Sequence, residues 1–197
     1  MDTQARKPSK RELTHDRIVG VAARALRRNG YAGVGVADVM KEAGLTHGGF
    51  YAHFGSRDAM LVEALARAGR DSSAAAAEKI QARVTRGDSA FRALIDFYLS
   101  EAHLSGAEQG CPVAALASEM SRQPPELLAA SAERVHALIQ SVQQVLPPQE
   151  GAKAKAQVIA STLIGALQLA RVLGANVQGR ALLAAARKSL LAQYENV

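Results

Sequence analysis

The segment of residues 35–57, GVADVMKEAGLTHGGFYAHFGSR, constrains the fold most strongly, because its pattern predicts two short helices joined by a tight turn. Apolar residues recur with helical spacing up to Gly44, and a glycine ends a helix well because it adopts positive φ without strain. Thr46 is a suitable N-cap for the second helix, since its hydroxyl can accept an orphan backbone N–H. We therefore predict a helix-turn-helix unit whose second helix ends near Phe54.

The second predicted helix has two unlike faces. Phe50 and Phe54 are four residues apart and are expected to be buried together against the first helix. The other face suits a protein core poorly but suits the DNA major groove, which accepts one α-helix. Glycines near a helix start also allow backbone N–H groups to approach a phosphate. This face comprises His47, Gly48, Tyr51 and Ala52, flanked by Gly49 and His53.

These residues also carry a family resemblance. Residues 30–31, 42–46, 49–54 and 56–61 resemble the N-terminal domain of TetR-family transcriptional regulators. The resemblance implies that His47, Gly48 and Tyr51 face DNA bases. It also implies that the DNA phosphates are held by Thr46, Gly49, His53 and Arg57.

Two positions depart from the usual pattern of this family. Gly35 stands where a serine or threonine normally caps the first helix of the unit, and Ala37 stands where many members have a longer side chain that reaches a base. We therefore expect the first helix to contribute less to base recognition in this chain.

Composition and charge agree with this prediction. The 197 residues carry a formal net charge of +6, and residues 1–28 hold eight basic residues against three acidic ones, which favours an acidic partner such as double-stranded DNA. No apolar run reaches the length of about 18 residues that a membrane span needs, and the N-terminus lacks a signal-peptide core. The single cysteine cannot form an internal disulfide, which suits a cytoplasmic protein.

The rest of the chain reads as helices separated by glycine and proline joints, without a strand signal. We predict an all-α fold of about nine helices. Residues 1–56 would form a three-helix helix-turn-helix DNA-binding domain, in which residues 1–10 are a flexible basic arm, and residues 57–197 would form a helical ligand-binding and dimerisation domain. Outside the helix-turn-helix unit, the predicted helices span about residues 12–29, 57 onward from a Ser56 cap, 88–105 from an Asp88 cap, 112–123, 125–146, 151–177 and 179–194.

A narrow seam of small and medium side chains marks the last two predicted helices. Its members step by four and three residues, which places them on one helical face. Such a seam is either an intrachain core or a symmetric four-helix contact with a second copy of the chain. The family resemblance favours a homodimer formed by these helices. The seam comprises Ala156, Ala160, Leu163, Leu167, Ala170 and Gly174, continued by Leu183, Ala186 and Leu190.

The middle helices contain few polar or adaptable side chains. Tyr98, Glu101, His103 and Met120 are either ordinary edge packing or the lining of a small-molecule pocket, which the family resemblance implies between these helices. The five histidines are scattered without metal-ligand spacing. We therefore expect no metal site, no cofactor and no enzymatic activity.

Cys111 directly precedes Pro112 at a predicted helix start, where the partial positive charge of the helix stabilises a thiolate. Residues 108–119 and 173–178 resemble a branch of the TetR family that includes the N-ethylmaleimide-responsive repressor NemR, in which this cysteine senses electrophiles or oxidants. The resemblance also indicates Arg180 as its basic neighbour. The alternative is that Cys111 is a small buried residue without a sensing role.

The sequence thus predicts a DNA-binding repressor that binds a palindromic operator as a homodimer. A small molecule, or an electrophile or oxidant, would release it from DNA. The alternatives are a transcriptional activator of the same fold and a hydrolase that uses Cys111 as nucleophile and His103 as base.

Overall fold

The computed structural model describes residues 6–147 and 150–195, and within these ranges all regular elements are helical. This confirms the predicted all-α fold, with nine α-helices and two 3₁₀ helices among the described residues. The α-helices are α1 (Lys10–Asn29), α2 (Val36–Glu42), α3 (Arg57–Val84), α4 (Ala90–Tyr98), α5 (Glu101–Ser105), α6 (Pro112–Met120), α7 (Pro125–Gln144), α8 (Ala152–Leu173) and α9 (Val177–Tyr194). The 3₁₀ helices are His47–Ala52, which we call the recognition helix, and Ala107–Gln109.

Helix α1 begins earlier than predicted, because Ser9 and Glu12 form a capping box. The Ser9 hydroxyl accepts the Glu12 backbone N–H, and the Glu12 carboxylate accepts the Ser9 N–H at 2.6 Å. Lys10 is therefore helical rather than part of a flexible arm, and residues 1–5 of that predicted arm lie outside the described residues. The helix ends at Gly30 (φ 71°), as predicted.

The turn after α2 has the predicted form, but its capping differs. Gly44 adopts φ 69°, and Gly35 supplies no side-chain cap to α2. The Thr46 hydroxyl does not cap the recognition helix either, so the prediction of that cap is wrong. This helix is a 3₁₀ helix of six residues. Its two glycines lower α-helical propensity, and short stretches tolerate the tighter winding.

Helix α3 is the longest element and connects the N-terminal helices to the rest of the molecule. Ser56 caps it by accepting the Ala59 N–H at 3.0 Å, as predicted. Its first half packs against α1, and it also contacts α4, α6 and α7. Helix α3 therefore contacts both α1 and the helices that follow it.

The predicted helix over residues 88–105 is two helices. Ser89, not Asp88, caps α4 by accepting the Arg92 N–H, while Asp88 pairs with Arg83 at 2.7 Å. A second serine, Ser100, accepts the His103 N–H and starts α5. Serine hydroxyls compete for backbone N–H groups in this way, which interrupts a run whose apolar spacing is otherwise continuous.

Helix α8 ends earlier than predicted and α9 starts earlier. Gly174 (φ 93°) terminates α8, and the Asn176 side chain caps α9 by accepting the N–H groups of Gln178 and Gly179 at 2.9 and 3.2 Å. The joint is thus residues 174–176, and the prediction that α8 continues to residue 177 is wrong.

The seam on α8 and α9 is intrachain core. Its members on α8 are buried within the same chain, because α7 and α9 both pack on α8. The prediction that this seam forms the dimer contact is therefore wrong for these residues. Helix α8 is long and apolar enough to cross a membrane by length and composition alone, and one of its faces is buried against α7 and α9. Ala156, Ala160, Leu163, Leu167, Ala170, Leu183 and Leu190 are buried.

Candidate nucleic-acid interface and effector cavity

Two buried aromatic rings hold the recognition helix in place. Phe50 and Phe54 are 1% and 3% exposed, and their rings stack with centroids 5.4 Å apart. Tyr51 packs edge-on against Phe50 but remains 70% exposed, so its hydroxyphenyl group projects from the surface. The predicted division of this helix into a buried and an exposed face is present in the structure.

The exposed face contains most of the residues predicted to contact DNA. Thr46, His47, Gly48 and Tyr51 are exposed, whereas Gly49 and His53 are half-buried. Because the Thr46 hydroxyl has no capping partner, it is free to donate to an external acceptor. The arrangement offers a hydroxyl, an imidazole, a phenol and unobstructed backbone on one short helix.

Gly48 is not required by the fold. A Cβ placed there would meet nothing within 4 Å, and its φ is not positive. Glycine costs up to about 1 kcal/mol relative to alanine in a helix, so a reason outside the monomer is needed. Close approach of the backbone to DNA supplies such a reason.

The substitution Gly48→Ala separates these two roles. We expect it to leave unfolding unchanged or to raise its free energy by up to about 1 kcal/mol, while it weakens DNA binding roughly 10-fold, about 1.4 kcal/mol. Gly55→Ala is the matched control, because a Cβ there also meets nothing within 4 Å. Urea unfolding and fluorescence anisotropy with a labelled duplex measure the two effects. Equal DNA affinities for the two variants would contradict the assignment.

His53 is less suited to holding a DNA phosphate than the family resemblance implies. Burial, followed by the neighbouring charges of His15 and Arg11, lowers the pKa of His53 below its usual value. Its Nδ1 atom is buried and has no hydrogen-bond partner among the residues that the structure describes. The ring is therefore neutral at neutral pH, and it can contribute a hydrogen bond but no positive charge.

Arg57 has internal partners that the sequence did not indicate. Its Nε donates to the Val34 carbonyl at 2.8 Å, and its Nη2 donates to the Tyr31 carbonyl. Nη1 lies 3.5 Å from the Asp58 carboxylate. The guanidinium thus joins the α1–α2 turn to the start of α3. A DNA phosphate would have to bind Arg57 alongside these internal partners.

Arg11 is a basic residue of this surface that sequence reasoning missed. Its Nη2 donates to the carbonyl of Ala52, the last residue of the recognition helix, at 2.8 Å. The contact joins residues 41 positions apart. The basic bias of residues 1–28 was the available sequence signal, but it could not indicate which residue reaches the recognition helix.

A cavity of about 330 Å³ lies between α3, α4, α6 and α7. Of the predicted pocket residues, Tyr98 and His103 line it, together with the predicted sensor Cys111. Glu101 and Met120 do not line it, because Glu101 is exposed on α5 and the Met120 side chain is buried elsewhere in the core. Most of the remaining lining is aliphatic, with polar groups from serines, Arg134 and Gln144.

His103 connects the cavity wall to the loop that carries Cys111. Its Nε2 accepts the Cys111 backbone N–H at 3.0 Å, which places the ring proton on Nδ1, where it is donated to the Tyr98 carbonyl at 2.9 Å. Burial is the main cause that lowers the pKa of His103 to about 4. Both ring nitrogens are thus engaged, and His103 is poorly placed to act as base for the Cys111 thiol.

The basic neighbours of Cys111 differ from the predicted one. Arg180 donates to the exposed Glu101 carboxylate at 2.7 Å instead. Arg27 and Arg171 approach this loop: Arg27 donates to the Gly110 carbonyl at 3.3 Å and Arg171 donates to the His103 carbonyl at 2.8 Å. Sequence spacing gave no indication of either arginine, because both reach this loop from distant helices.

Arg27 also links the helix-turn-helix unit to the cavity. It is buried on α1, and its Nη1 donates to the carbonyls of Ala68 on α3 and Gly110 beside Cys111, at 3.2 and 3.3 Å. Nearby, the Tyr31 N–H donates to the Glu119 carboxylate at 3.0 Å. These contacts give the cavity wall a direct connection to α1.

No group of three or more metal-ligating side chains occurs among residues 6–147 and 150–195. The exposed face of the recognition helix and the cavity are the two candidate sites in this part of the chain.

Comparisons with known proteins agree with this geometry. Residues 18–64 match the model of bacterial regulatory proteins of the tetR family, and residues 88–189 match that of the LmrA/YxaF-like transcriptional regulator C-terminal domain. The chain is 30% identical over 170 residues to the HTH-type transcriptional regulator Rv0196 of Mycobacterium tuberculosis, with 80% of this chain and 84% of the relative covered.

Solved structures show the same fold. A TetR-family regulator from Agrobacterium tumefaciens has a TM-score of 0.74 at 21% identity, covering 94% of this chain and 99% of the other. The reduced form of Escherichia coli NemR has a TM-score of 0.71 at 20% identity, covering 90% and 94%. These identities show the fold alone, so the predicted placement in the NemR branch is not confirmed. The sequence matches do establish the family, and the chain belongs to the TetR family of bacterial DNA-binding transcriptional regulators.

Proposed function

We propose that this regulator is a repressor that binds a palindromic operator as a homodimer and is released by a small molecule or an electrophile. The observation that carries the DNA-binding part is the recognition helix, which exposes Tyr51 while Phe50 and Phe54 fix it from below. The protein would act in the cytoplasm, where its operator DNA lies. Residues 1–56 would bind DNA, and residues 57–197 would dimerise and bind the signal.

The outer face of α8 and α9 supports dimerisation through these helices. Val158, Leu169 and Val172 on α8, and Val177 at the start of α9, are 54%, 59%, 85% and 77% exposed. With Thr162 and Gly165, the α8 residues step by four and three along one face. We call residues 158, 162, 165, 169, 172 and 177 the outer seam. An apolar stripe of this kind fits a self-complementary contact with a second copy.

Gly165 strengthens this assignment. A Cβ at this position would meet nothing within 4 Å, so the monomer does not require glycine there. A glycine at the centre of the outer seam allows a partner helix to approach closely. Two-fold symmetry of the dimer would then match a palindromic operator.

Release would proceed through a two-state equilibrium. A ligand that binds the DNA-incompetent arrangement more tightly shifts the population by its differential affinity. Filling the cavity would displace the loop at Gly110 or the turn of α3 at Ala68, and Arg27 contacts both. The movement of α1 and α3 would change the spacing of the two recognition helices in the dimer.

Cys111 offers a second route to the same release. Its side chain lines the cavity and is 8% exposed, so an electrophile would reach it from the cavity. Addition of the thiol across the double bond of N-ethylmaleimide forms a thioether, and the thiol proton is transferred to the adjacent carbon. The adduct would occupy cavity volume beside the Arg27 contact and favour the released state.

We expect N-ethylmaleimide to weaken operator binding of the wild type at least 10-fold and to leave Cys111→Ser unaffected. Cys111 is the sole cysteine of the 197 residues, so the variant has no other thiol to react. Anisotropy of a labelled operator measures this release. The repressor role is checked separately, because transcription in vitro from a promoter that carries the operator should fall when the protein is added. A similar response in both proteins, or in neither, would remove Cys111 from the mechanism.

A further inference from the structure

We propose that the cavity binds an apolar monocarboxylate, whose carboxylate is held by the Arg134 guanidinium and the Tyr98 hydroxyl. This inference rests on the proposed function, because it names the chemical class of the signal. Four observations carry it: the buried Tyr98 hydroxyl, the Arg134 guanidinium with its distant carboxylate partner, the charge of the lining side chains and the volume of the cavity.

The Tyr98 side chain lines the cavity beside Cys111. Tyr98 is 4% exposed, and its Oη is buried with no hydrogen-bond partner among the described residues. Its backbone is fixed, since the Tyr98 carbonyl accepts the His103 Nδ1–H. Burial first, and the neighbouring Cys111 second, raise the pKa of Tyr98 well above its ordinary value, so the group remains a donor. Buried hydroxyls are normally paired, and a ligand acceptor would satisfy this one.

Arg134 supplies a positive charge to the same cavity. It extends from α7. Among the described residues, its ion-pair partner is the exposed Glu133 carboxylate, 3.7 Å away. Gly69 on α3 provides the space that its side chain occupies. A Cβ at Gly69 would lie 2.6 Å from Arg134 Nη1 and 2.8 Å from its Cδ. A glycine in a helix interior is unfavourable, and accommodation of the Arg134 side chain explains it here.

The lining favours one negative charge over a positive or neutral group. Among the described residues that line the cavity, Arg134 is the charged one at neutral pH, because His103 is neutral with a pKa of about 4 and none of the others is a carboxylate. A guanidinium in a largely apolar site binds a carboxylate through charge-assisted hydrogen bonds. Ile80, Leu94, Phe97, Val113 and Leu138 would contact the apolar body of the ligand.

The volume limits the size of the ligand. The cavity of about 330 Å³ lies at the lower end of the range of roughly 300–1,000 Å³ for small-molecule sites. A medium-chain acid fits this range better than a large polycyclic or nucleotide ligand does. The Arg134 guanidinium matches one carboxylate, whereas Arg27 and Arg171 lie behind the wall and donate to the backbone carbonyls of Gly110 and His103.

Calorimetric titration of the full chain tests the proposal. The probes are hexanoate, octanoate and decanoate, with octanol and octylamine as isosteres that lack the negative charge. We expect at least one acid to bind, and the acid of eight carbons to bind at least 10-fold more tightly than octanol. Arg134→Gln should weaken the best acid at least 10-fold, and Tyr98→Phe about 10-fold, as expected for hydrogen bonds to a charged group.

Two further variants sharpen the test. Gly69→Ala should force the Arg134 side chain to move and should weaken acid binding without altering either ligand-binding side chain. Glu133→Gln is the matched control, and it should preserve or improve acid binding because it removes the carboxylate near Arg134. Circular dichroism establishes that each variant is folded. Tyr98→Phe should fold normally, since it removes a hydroxyl that has no partner.

The outcomes separate this inference from the proposed function. Absence of binding by all three acids, equal binding of octanol, or unchanged acid affinity in Arg134→Gln would overturn the inference, even if operator binding is intact. Selective acid binding that leaves the operator complex unchanged would support the inference and contradict ligand-induced release.

Discussion

Leu169→Glu should convert a dimer into a folded monomer that no longer holds a palindromic operator. Leu169 is 59% exposed in the chain, so glutamate is tolerated in the monomer. In a symmetric dimer through the outer seam, both copies would bury the new carboxylate, at a cost of several kcal/mol per charge. This corresponds to a loss of dimer affinity of about 100-fold or more. Light scattering measures the mass, and anisotropy measures the operator affinity.

Leu128→Glu is the matched control for this prediction. Leu128 is also an exposed leucine, at 44%, but it lies on α7 outside the outer seam. We expect it to remain dimeric with wild-type operator affinity. A dimeric Leu169→Glu protein would show that the contact lies elsewhere on the molecule.

Phe50→Ala should act mainly through stability and Tyr51→Ala mainly through DNA recognition, although the two residues are adjacent. Phe50 is fully buried, so its truncation should lower the free energy of unfolding by about 3–5 kcal/mol. Tyr51 is largely exposed, so Tyr51→Ala should change stability by less than about 0.5 kcal/mol. We expect Tyr51→Ala to cost roughly 1–3 kcal/mol in operator binding instead.

Urea unfolding and DNA titration measure both variants under the same conditions. The stability loss in Phe50→Ala should abolish operator binding indirectly, because the recognition helix loses its main anchor. If Tyr51→Ala binds the operator as well as the wild type, Tyr51 makes no base contact and the exposed face has been assigned wrongly.

The helix-turn-helix unit could be predicted from sequence because its determinants are local. Gly44 gives the positive φ of the turn, Ser56 caps α3, and the spacing of Phe50 and Phe54 gives the buried face. Each of these signals acts within about four residues. Sequence reasoning failed at the helix caps within residues 88–105. Ser89 rather than Asp88 caps α4, and Ser100 starts a separate helix, α5.

The seam on α8 shows a different limit. Periodicity correctly indicated that Leu163 and Leu167 share an apolar face, but it cannot indicate whether that face packs on the same chain or on a second copy. In the structure α7 and α9 cover it. The opposite face, with Leu169 and Val172, is apolar as well, and only burial distinguishes the two.

The cavity and its connection to α1 could not be predicted because they depend on long-range contacts. Arg27 contacts Gly110 across 83 positions, and Arg171 contacts the His103 carbonyl across 68. No spacing rule relates such residues. The family resemblance supplied Arg180 as the neighbour of Cys111, whereas the fold pairs Arg180 with Glu101.

Selection of bound duplexes from a random DNA pool tests the central claim most directly. We predict that the wild type enriches an inverted repeat, since two recognition helices would read two half-sites related by two-fold symmetry. Tyr51→Ala should relax the preferred bases within each half-site, and Leu128→Ala, an exposed control on α7, should select the wild-type sequence. Enrichment of no sequence, or of a site without two-fold symmetry, would contradict the account.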